Sequence, residues 1–334
     1  MTLRLIEMVL PERAGEDLRQ LLVEHPVLEV RQVGLREGEA LVRILLEGEK
    51  SESVLDLLEK KYAGQEGYRV VVLPVEATLP RVELAQEAAP AESSPEGKLP
   101  ERISRQELYE DISDAARLSR VYFAMVVLSA IVATIGLDHN NVAIVIGAMV
   151  IAPLLGPNVA LALATALGDL PLARRSVLTG LAGIATVAAM TAVIGALLHV
   201  DPTSSELASR TRVGLSDVAL ALAAGCAGAL AFTTGVSATL VGVMVAVALL
   251  PPMVTFGLLL GGGHLTLAMG ALALLMANLI CLNLAGVTTF LVQGIHPATW
   301  WEKERAAKAT RIAIGLWVTL LAVLVGLILL FRTG

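Results

Sequence analysis

Charge is scarce over most of this chain of 334 residues. Lys, Arg, Asp and Glu make up 17% of it, concentrate in the first third, and are nearly missing between Val121 and Gly294. Aromatic residues are only 4%, and there are two cysteines. Each shortage excludes something. Cys226 and Cys281 both lie in apolar sequence and neither belongs to a CxxC or Cys/His set, so no disulfide framework or zinc site is expected, and buried structural thiols are the plain reading. A net charge of −6 without a basic tract argues against nucleic acid as a partner. HExxH, GxSxG, a P-loop and paired mid-span carboxylates are all absent. No catalytic residue, metal ligand or cofactor is therefore assigned, and the chain is not expected to be an enzyme. No apolar signal segment opens it, because Met1–Arg13 interleaves charged with apolar residues, so the N-terminus is expected to stay in the cytoplasm.

What the chain has in excess is apolar residues. They are 55% of the sequence, and the mean hydropathy is +0.72. A soluble core cannot absorb such uninterrupted runs, whereas a bilayer can. Hydropathy gives seven spans, at about 121–137, 141–167, 172–199, 214–232, 236–260, 264–292 and 311–331. Arg and Lys gather on one side of them, before the first span and at Arg174, Arg175, Lys303, Arg305 and Lys308. The other side holds Arg210, Arg212 and Arg332. The positive-inside rule then predicts a multi-pass protein of the cytoplasmic (inner) membrane, with its N-terminus inside and its C-terminus outside.

The first 79 residues read differently. Strand-like alternation at Leu3–Val9, Val27–Leu35, Ala40–Glu47 and Tyr68–Val75 is interspersed with helical spacing at Ala14–Glu24 and at Ser51–Tyr62, where Ser51 is a capping residue. The order βαββαβ predicts an α+β, ferredoxin-like domain, a fold that fixes no function by itself. Residues 80–102, rich in Pro, Glu, Ala and Ser, read as a disordered linker. Residues 103–120 read as an amphipathic juxtamembrane helix, with Leu108, Ile112, Ala115 and Ser119 on its less polar side.

The chain also resembles itself. Gly147, Met149, Val150, Leu154, Leu155 and Pro157 fall on Gly242, Met244, Val245, Leu249, Leu250 and Pro252, each 95 positions later. The register continues from Gly168 and Leu170 to Gly263 and Leu265. The spans thus group as two repeats of three, 121–199 and 214–292, with 311–331 as an additional span. An odd number of spans per repeat predicts inverted topology, an organisation common in secondary transporters. Both repeats carry prolines at corresponding places, Ala152-Pro153-Leu154-Leu155-Gly156-Pro157-Asn158 and Leu249-Leu250-Pro251-Pro252-Met253. Proline removes a backbone donor, and hydrocarbon supplies no substitute. Paired breaks read either as a midplane binding site or as kinks filled by neighbouring helices.

The candidate substrate- or ion-binding residues are Pro153, Gly156, Pro157, Asn158 and Asp169 in the first repeat, and Thr233, Thr234, Ser237, Pro251, Pro252 and Asn278 in the second. Asp169 and Asp217 lie near span ends, where capping is an equal reading, and the Ser, Thr and Asn side chains, Asn283 included, read equally as packing hydrogen bonds. A close-packing face at Gly257–Gly261 points to a homo-oligomer.

Ile146–Pro157, with its GAM-x-x-(S/A)-P-L-x-GP core, and the later Gly168-Asp169 resemble the signature of domain of unknown function 389, a family of hydrophobic multi-pass proteins of bacteria and archaea. The likeness covers about Ser113–Val292. Ala152 stands where many members have Ser, which argues against a role for that hydroxyl. The resemblance implies a membrane protein with a variable soluble extension and brings no substrate or reaction. The reading is a transporter or channel for a small solute or ion, regulated by its cytoplasmic domain. The alternative is a membrane receptor whose cytoplasmic domain binds a metabolite or nucleotide.

Overall fold

A computed structural model of the chain describes residues 3–11, 14, 17–18, 21–22, 25, 27–35, 38–62, 64, 69–75, 78, 103–198, 200–234, 238–295, 311–312, 314–323 and 325–326, without the side chains of 235–247. The linker assigned to 80–102, the residue Ser237 and part of the last span lie outside the described residues. The chain divides into two compact units, 1–108 and 109–334.

In the first unit, alternation sets the sheet. Strands β1 (Leu3–Pro11), β2 (Glu29–Gly34), β3 (Glu39–Glu47) and β4 (Val70–Val75) pair antiparallel in the order β2-β3-β1-β4. Ile6, Met8 and Leu10 of β1 and Val42, Ile44 and Leu46 of β3 bury one face, as a period of two requires. Helix α1 (Ser51–Tyr62) lays Val54, Leu55, Leu58 and Tyr62 on that face, and Leu18 and Leu22 complete the core. Ser51 is not the cap the sequence implies. It is buried, and its hydroxyl donates to the Gly48 carbonyl at 2.6 Å, closing the short turn Gly48–Lys50 that leads into α1. At the start of β1, the buried Arg4 guanidinium donates twice to Glu107, at 2.8 and 3.0 Å, a two-pronged pairing that makes its burial affordable.

The second unit is helical. Helix α2 (Arg105–Ala115), which starts in the first unit, stops at Ala115, five residues short of the expected juxtamembrane helix. Ser119 ends it early: its side chain accepts from the Tyr122 N–H and opens α3 (Arg120–Asp138). There follow α4 (Val142–Ile151), α5 (Leu155–Leu167), α6 (Leu170–Leu197), the single turn α7 (Ser205–Ala208), α8 (Leu215–Thr234), α9 (Ala238–Gly261), α10 (Leu265–Val292) and α11 (Ile314–Val323). Among the described residues, α3, α6, α8 and α10 are each long and apolar enough to cross a bilayer, and α4 with α5 makes a fifth span bent by 55°. At about 1.5 Å per residue even the 19-residue α3 reaches across about 30 Å of hydrocarbon.

Small residues bring α6 and α9 into backbone contact. A methyl group on Gly195 would collide with the Leu258 carbonyl, and one on Gly261 with the Ala192 carbonyl. Gly257 stands against Thr191 in the same seam. The Gly257–Gly261 face, read from sequence as a hint of oligomerisation, is therefore occupied within the chain. Packing of this kind replaces the hydrophobic drive that lipid removes. Gly195→Ala is expected to cost about 1–3 kcal/mol, because a backbone carbonyl cannot step aside. Gly147→Ala, with open space at its Cβ, is expected to stabilise by up to about 1 kcal/mol through helix propensity. Thermal unfolding of the two variants in the same detergent checks the opposite signs.

Candidate functional site

The bent span has a local cause. Pro153 cannot continue α4, since its ring and missing N–H oppose the turn before it, and Ala152 is extended at φ −68°, ψ 121° as a residue before proline prefers. Leu155 restarts the helix. Pro157 falls in its first turn, where the missing donor costs nothing. Gly156 is required because the Ala115 carbonyl occupies the place a side chain would take. The second proline pair behaves otherwise. Pro251 and Pro252 lie inside α9, which runs unbroken from Ala238 to Gly261. The expectation of matching breaks is corrected here, for a clear reason. Pro252 leaves the Ala248 carbonyl without its usual donor, and Asn278 of α10, buried at 5% exposure, supplies one through Nδ2 at 2.6 Å.

A second amide sits beside the real break. Asn158 on α5 donates through Nδ2 to the Leu154 carbonyl at 2.8 Å, and its Oδ1 accepts from Asn283 Nδ2 of α10 at 3.3 Å. Asn283 Nδ2 also donates to the Leu279 carbonyl at 2.9 Å. Both neighbours of that nitrogen are acceptors, which fixes the amide's orientation and turns Oδ1 away from them. Asn283 is 1% exposed, and this oxygen has no partner among the described residues. Asn158, Ala162 and Gly286, with Gly225 and Gly228 of α8, line a cleft of about 10 Å³, room for one water or a bare ion. The glycines matter because α8 approaches α10 closely, Gly225 lying against Leu282 and Ala285. Thr255 of α9 is fully buried, and its hydroxyl too has no partner among the described residues.

The other residues picked from sequence have structural partners elsewhere. Gly168 turns left-handed at φ +70° to end α5, and Asp169 caps α6 by accepting the Leu172 N–H at 3.0 Å. Asp169 also accepts the Tyr109 hydroxyl at 2.7 Å. Burial first, then this hydrogen bond and the carboxylate's charge, push Tyr109 up to about 12. Asp217 accepts from the Gly214 N–H at 2.8 Å at the start of α8, which is its capping reading. Thr233 and Thr234 both donate to the Leu230 carbonyl of their own helix. The arrangement thus unites Asn158 with Asn283 and Asn278 with the proline turn of α9, and leaves Asp169, Thr233 and Thr234 apart from them. Asn283 is visible in sequence only as one amide among several inside a span. Tyr109 and the cleft glycines carry no signal there.

Apolar helices of spanning length, one of them broken beside a pair of hydrogen-bonded amides, define a helical membrane protein. The comparisons give the family. The model of the domain of unknown function DUF389 matches residues 149–284. An uncharacterized protein, MJ0678 of Methanocaldococcus jannaschii, is 40% identical over 279 residues, which cover 84% of each chain. The chain belongs to the DUF389 family. No solved structure matches it.

Two outcomes follow. Asn278→Leu leaves the Ala248 carbonyl buried without a donor and is expected to cost about 1–3 kcal/mol, read as a lower midpoint of thermal unfolding in detergent. For Tyr109, a folded pKa above the unfolded value of 10.0 means that its stabilisation is full below pH 10.0 and is lost as pH rises towards about 12. Tyr109→Phe is therefore expected to flatten part of the fall in melting temperature between about pH 10 and 12.

Proposed function

We propose that this chain is a transporter or channel for a small solute or ion, built from two inverted three-span repeats with a seventh span and regulated by an N-terminal ferredoxin-like domain in the cytoplasm. Its N-terminus would lie inside and its C-terminus outside the cytoplasmic membrane. The strand order supports the domain: β1 and β2 run in the same direction with β3 between them, and β3 and β4 with β1 between them. Two interlocked split βαβ units make that pattern.

The helix limits support the repeat. Leu170 and Leu265 open α6 and α10, 95 positions apart, and Leu197 and Val292 close them at the same spacing. Arg120 and Leu215 open α3 and α8 at that spacing too. Contacts repeat as well. Thr191 of α6 packs on Gly257 of α9, and its counterpart 95 positions along, Gly286 of α10, packs on Ala162 of α5, the counterpart of Gly257. The third helix of each repeat thus meets the second helix of the other, the interlock expected of a pseudo-two-fold.

The observation that carries transport is the Asn158–Asn283 pair, which joins the broken span of one repeat to the third helix of the other and keeps an unpaired acceptor. Intramembrane polar groups at a broken helix between repeats are where such proteins hold their cargo. The groups are neutral, so the cargo is an uncharged polar solute or a monovalent ion. The test is uptake of radiolabelled sodium, rubidium, chloride, glycine and glucose into proteoliposomes of the full chain. Uptake of one probe above empty vesicles, cut about tenfold by Asn283→Leu in a protein that still folds, is expected; tenfold is the loss of roughly 1.4 kcal/mol of binding. No uptake of any probe would sink the transport reading, and stabilisation of unit 1–108 by a nucleotide or metabolite would turn it towards a receptor.

A further inference from the structure

The sheet of the first unit has a second face, and it is oily. Val9, Val33, Leu35, Val71 and Leu73 remain between 39% and 49% exposed. Pairing makes them contiguous: Val33 lies opposite Leu41 and Leu41 opposite Val9, while Leu45 lies opposite Leu5 and Leu5 opposite Leu73. Between these rows runs a charged one, Arg31, Arg43, Glu7 and Val71 in the order β2, β3, β1, β4, and Glu29 of the edge strand β2 stands opposite Leu45. Arg43 Nε pairs with Glu7 Oε1 at 2.7 Å, and Arg31 Nε with Glu29 Oε1 at 2.5 Å. A water-facing sheet surface ordinarily alternates towards polar residues. Apolar side chains gathered on an open sheet face mark an interaction surface.

We propose that this face binds a second copy of the same face, making the first unit a two-fold dimerisation module. The charges choose this occupant. An axis parallel to the strands and midway between β3 and β1 exchanges those two central strands. Arg43 then faces Glu7 of the partner subunit, and Glu7 faces Arg43 of the partner subunit. The same operation lays Val9 on Leu41 of the partner subunit and Leu5 on Leu45 of the partner subunit, and it sets the edge strand β2, with Arg31 and Glu29, at the rim, where interfaces keep their polar residues. Sheets packed face to face lie about 10 Å apart, a gap that Arg and Glu side chains span. An anionic bilayer surface fits less well, because it attracts clustered basic residues, whereas here each arginine is already matched by an acid.

The test uses the full chain in membranes with Val9→Cys, a site beside the axis, and a short thiol cross-linker; the chain with only its own Cys226 and Cys281 is the blank, and Glu59→Cys on α1 is the off-face control. A cross-linked species at twice the chain mass is expected from Val9→Cys alone. Adding Arg43→Glu, or Glu7→Arg, places like charges across the axis, and each variant by itself is expected to lose the cross-link. The two variants expressed together, with different tags, are expected to recover it as a mixed dimer, although each has lost its internal Glu7–Arg43 pair. Recovery therefore reports pairing between chains and excludes a folding defect. No dimer from Val9→Cys, a dimer equally strong from Glu59→Cys, a dimer indifferent to the charge changes, or a product of another mass would each overturn the proposal.

Discussion

Hydrocarbon supplies no hydrogen bonds, and the second unit is organised around that constraint. A proline beyond the first turn of a spanning helix orphans a carbonyl, which has to find a donor unless the helix breaks there. Both solutions occur here. In α9 the Ala248 carbonyl receives Asn278 from the neighbouring helix, and the span stays whole. Ninety-five positions before Asn278 stands Gly183, which has no donor to offer and instead receives the Tyr122 hydroxyl against its backbone. Ninety-five positions before Ala248 stands Pro153 itself, and there the span breaks. One amide and one proline thus distinguish the two stretches. Polar side chains elsewhere in the spans obey the same constraint locally, as when Thr186 and Thr289 donate to carbonyls of their own helices.

Close approach is the second organising feature and depends on the first. A side-chain amide reaches a carbonyl on another helix only if the backbones come near, and the small residues of α5, α6, α8, α9 and α10 make that approach. Gly286 against Ala162 sits one turn from Asn283 against Asn158, so the packing contact and the hydrogen bond share one seam. A larger residue at Gly286 would spread the helices and part the amides without touching either of them.

The parts of this fold that follow one chemical rule were readable in the sequence. Alternation located β1 and β3 to within two residues at either end, and α1 was read with its limits unchanged. The Gly-Ala-Met to Gly-Pro segment was read as interrupted, and Pro153 does interrupt it. What could not be read was partnership. Pro251-Pro252 looks like a break from its own sequence, and only a residue 26 positions later, Asn278, mends it. Ser119 has the spacing of a helix face and serves as a cap, because a hydroxyl next to a helix start competes well for its free N–H groups. Gly257 and Gly261 advertise close packing without naming the neighbour, which is α6 of the same chain. Asn158 was singled out for its place beside a proline, whereas its partner Asn283 has no local feature to set it apart.

The chemistry of the Asn158–Asn283 pair limits what it can hold. A carboxylate at this depth would carry a large desolvation penalty and would demand a matching cation. Two amides carry no charge, and of their four polar atoms three are committed within the protein, which leaves one carbonyl oxygen. A single neutral acceptor cannot neutralise a divalent ion. It can accept one hydrogen bond from a water or a polar solute, or lend one ligand to a monovalent cation that keeps most of its others. Any further ligands must come from backbone carbonyls, and the last turn of α4, cut off at Ile151, ends in such groups. In the proposed site the broken helix and the amide pair therefore complement one another: the amides offer a single acceptor, and the end of α4 adds carbonyls that its own helix leaves unpaired.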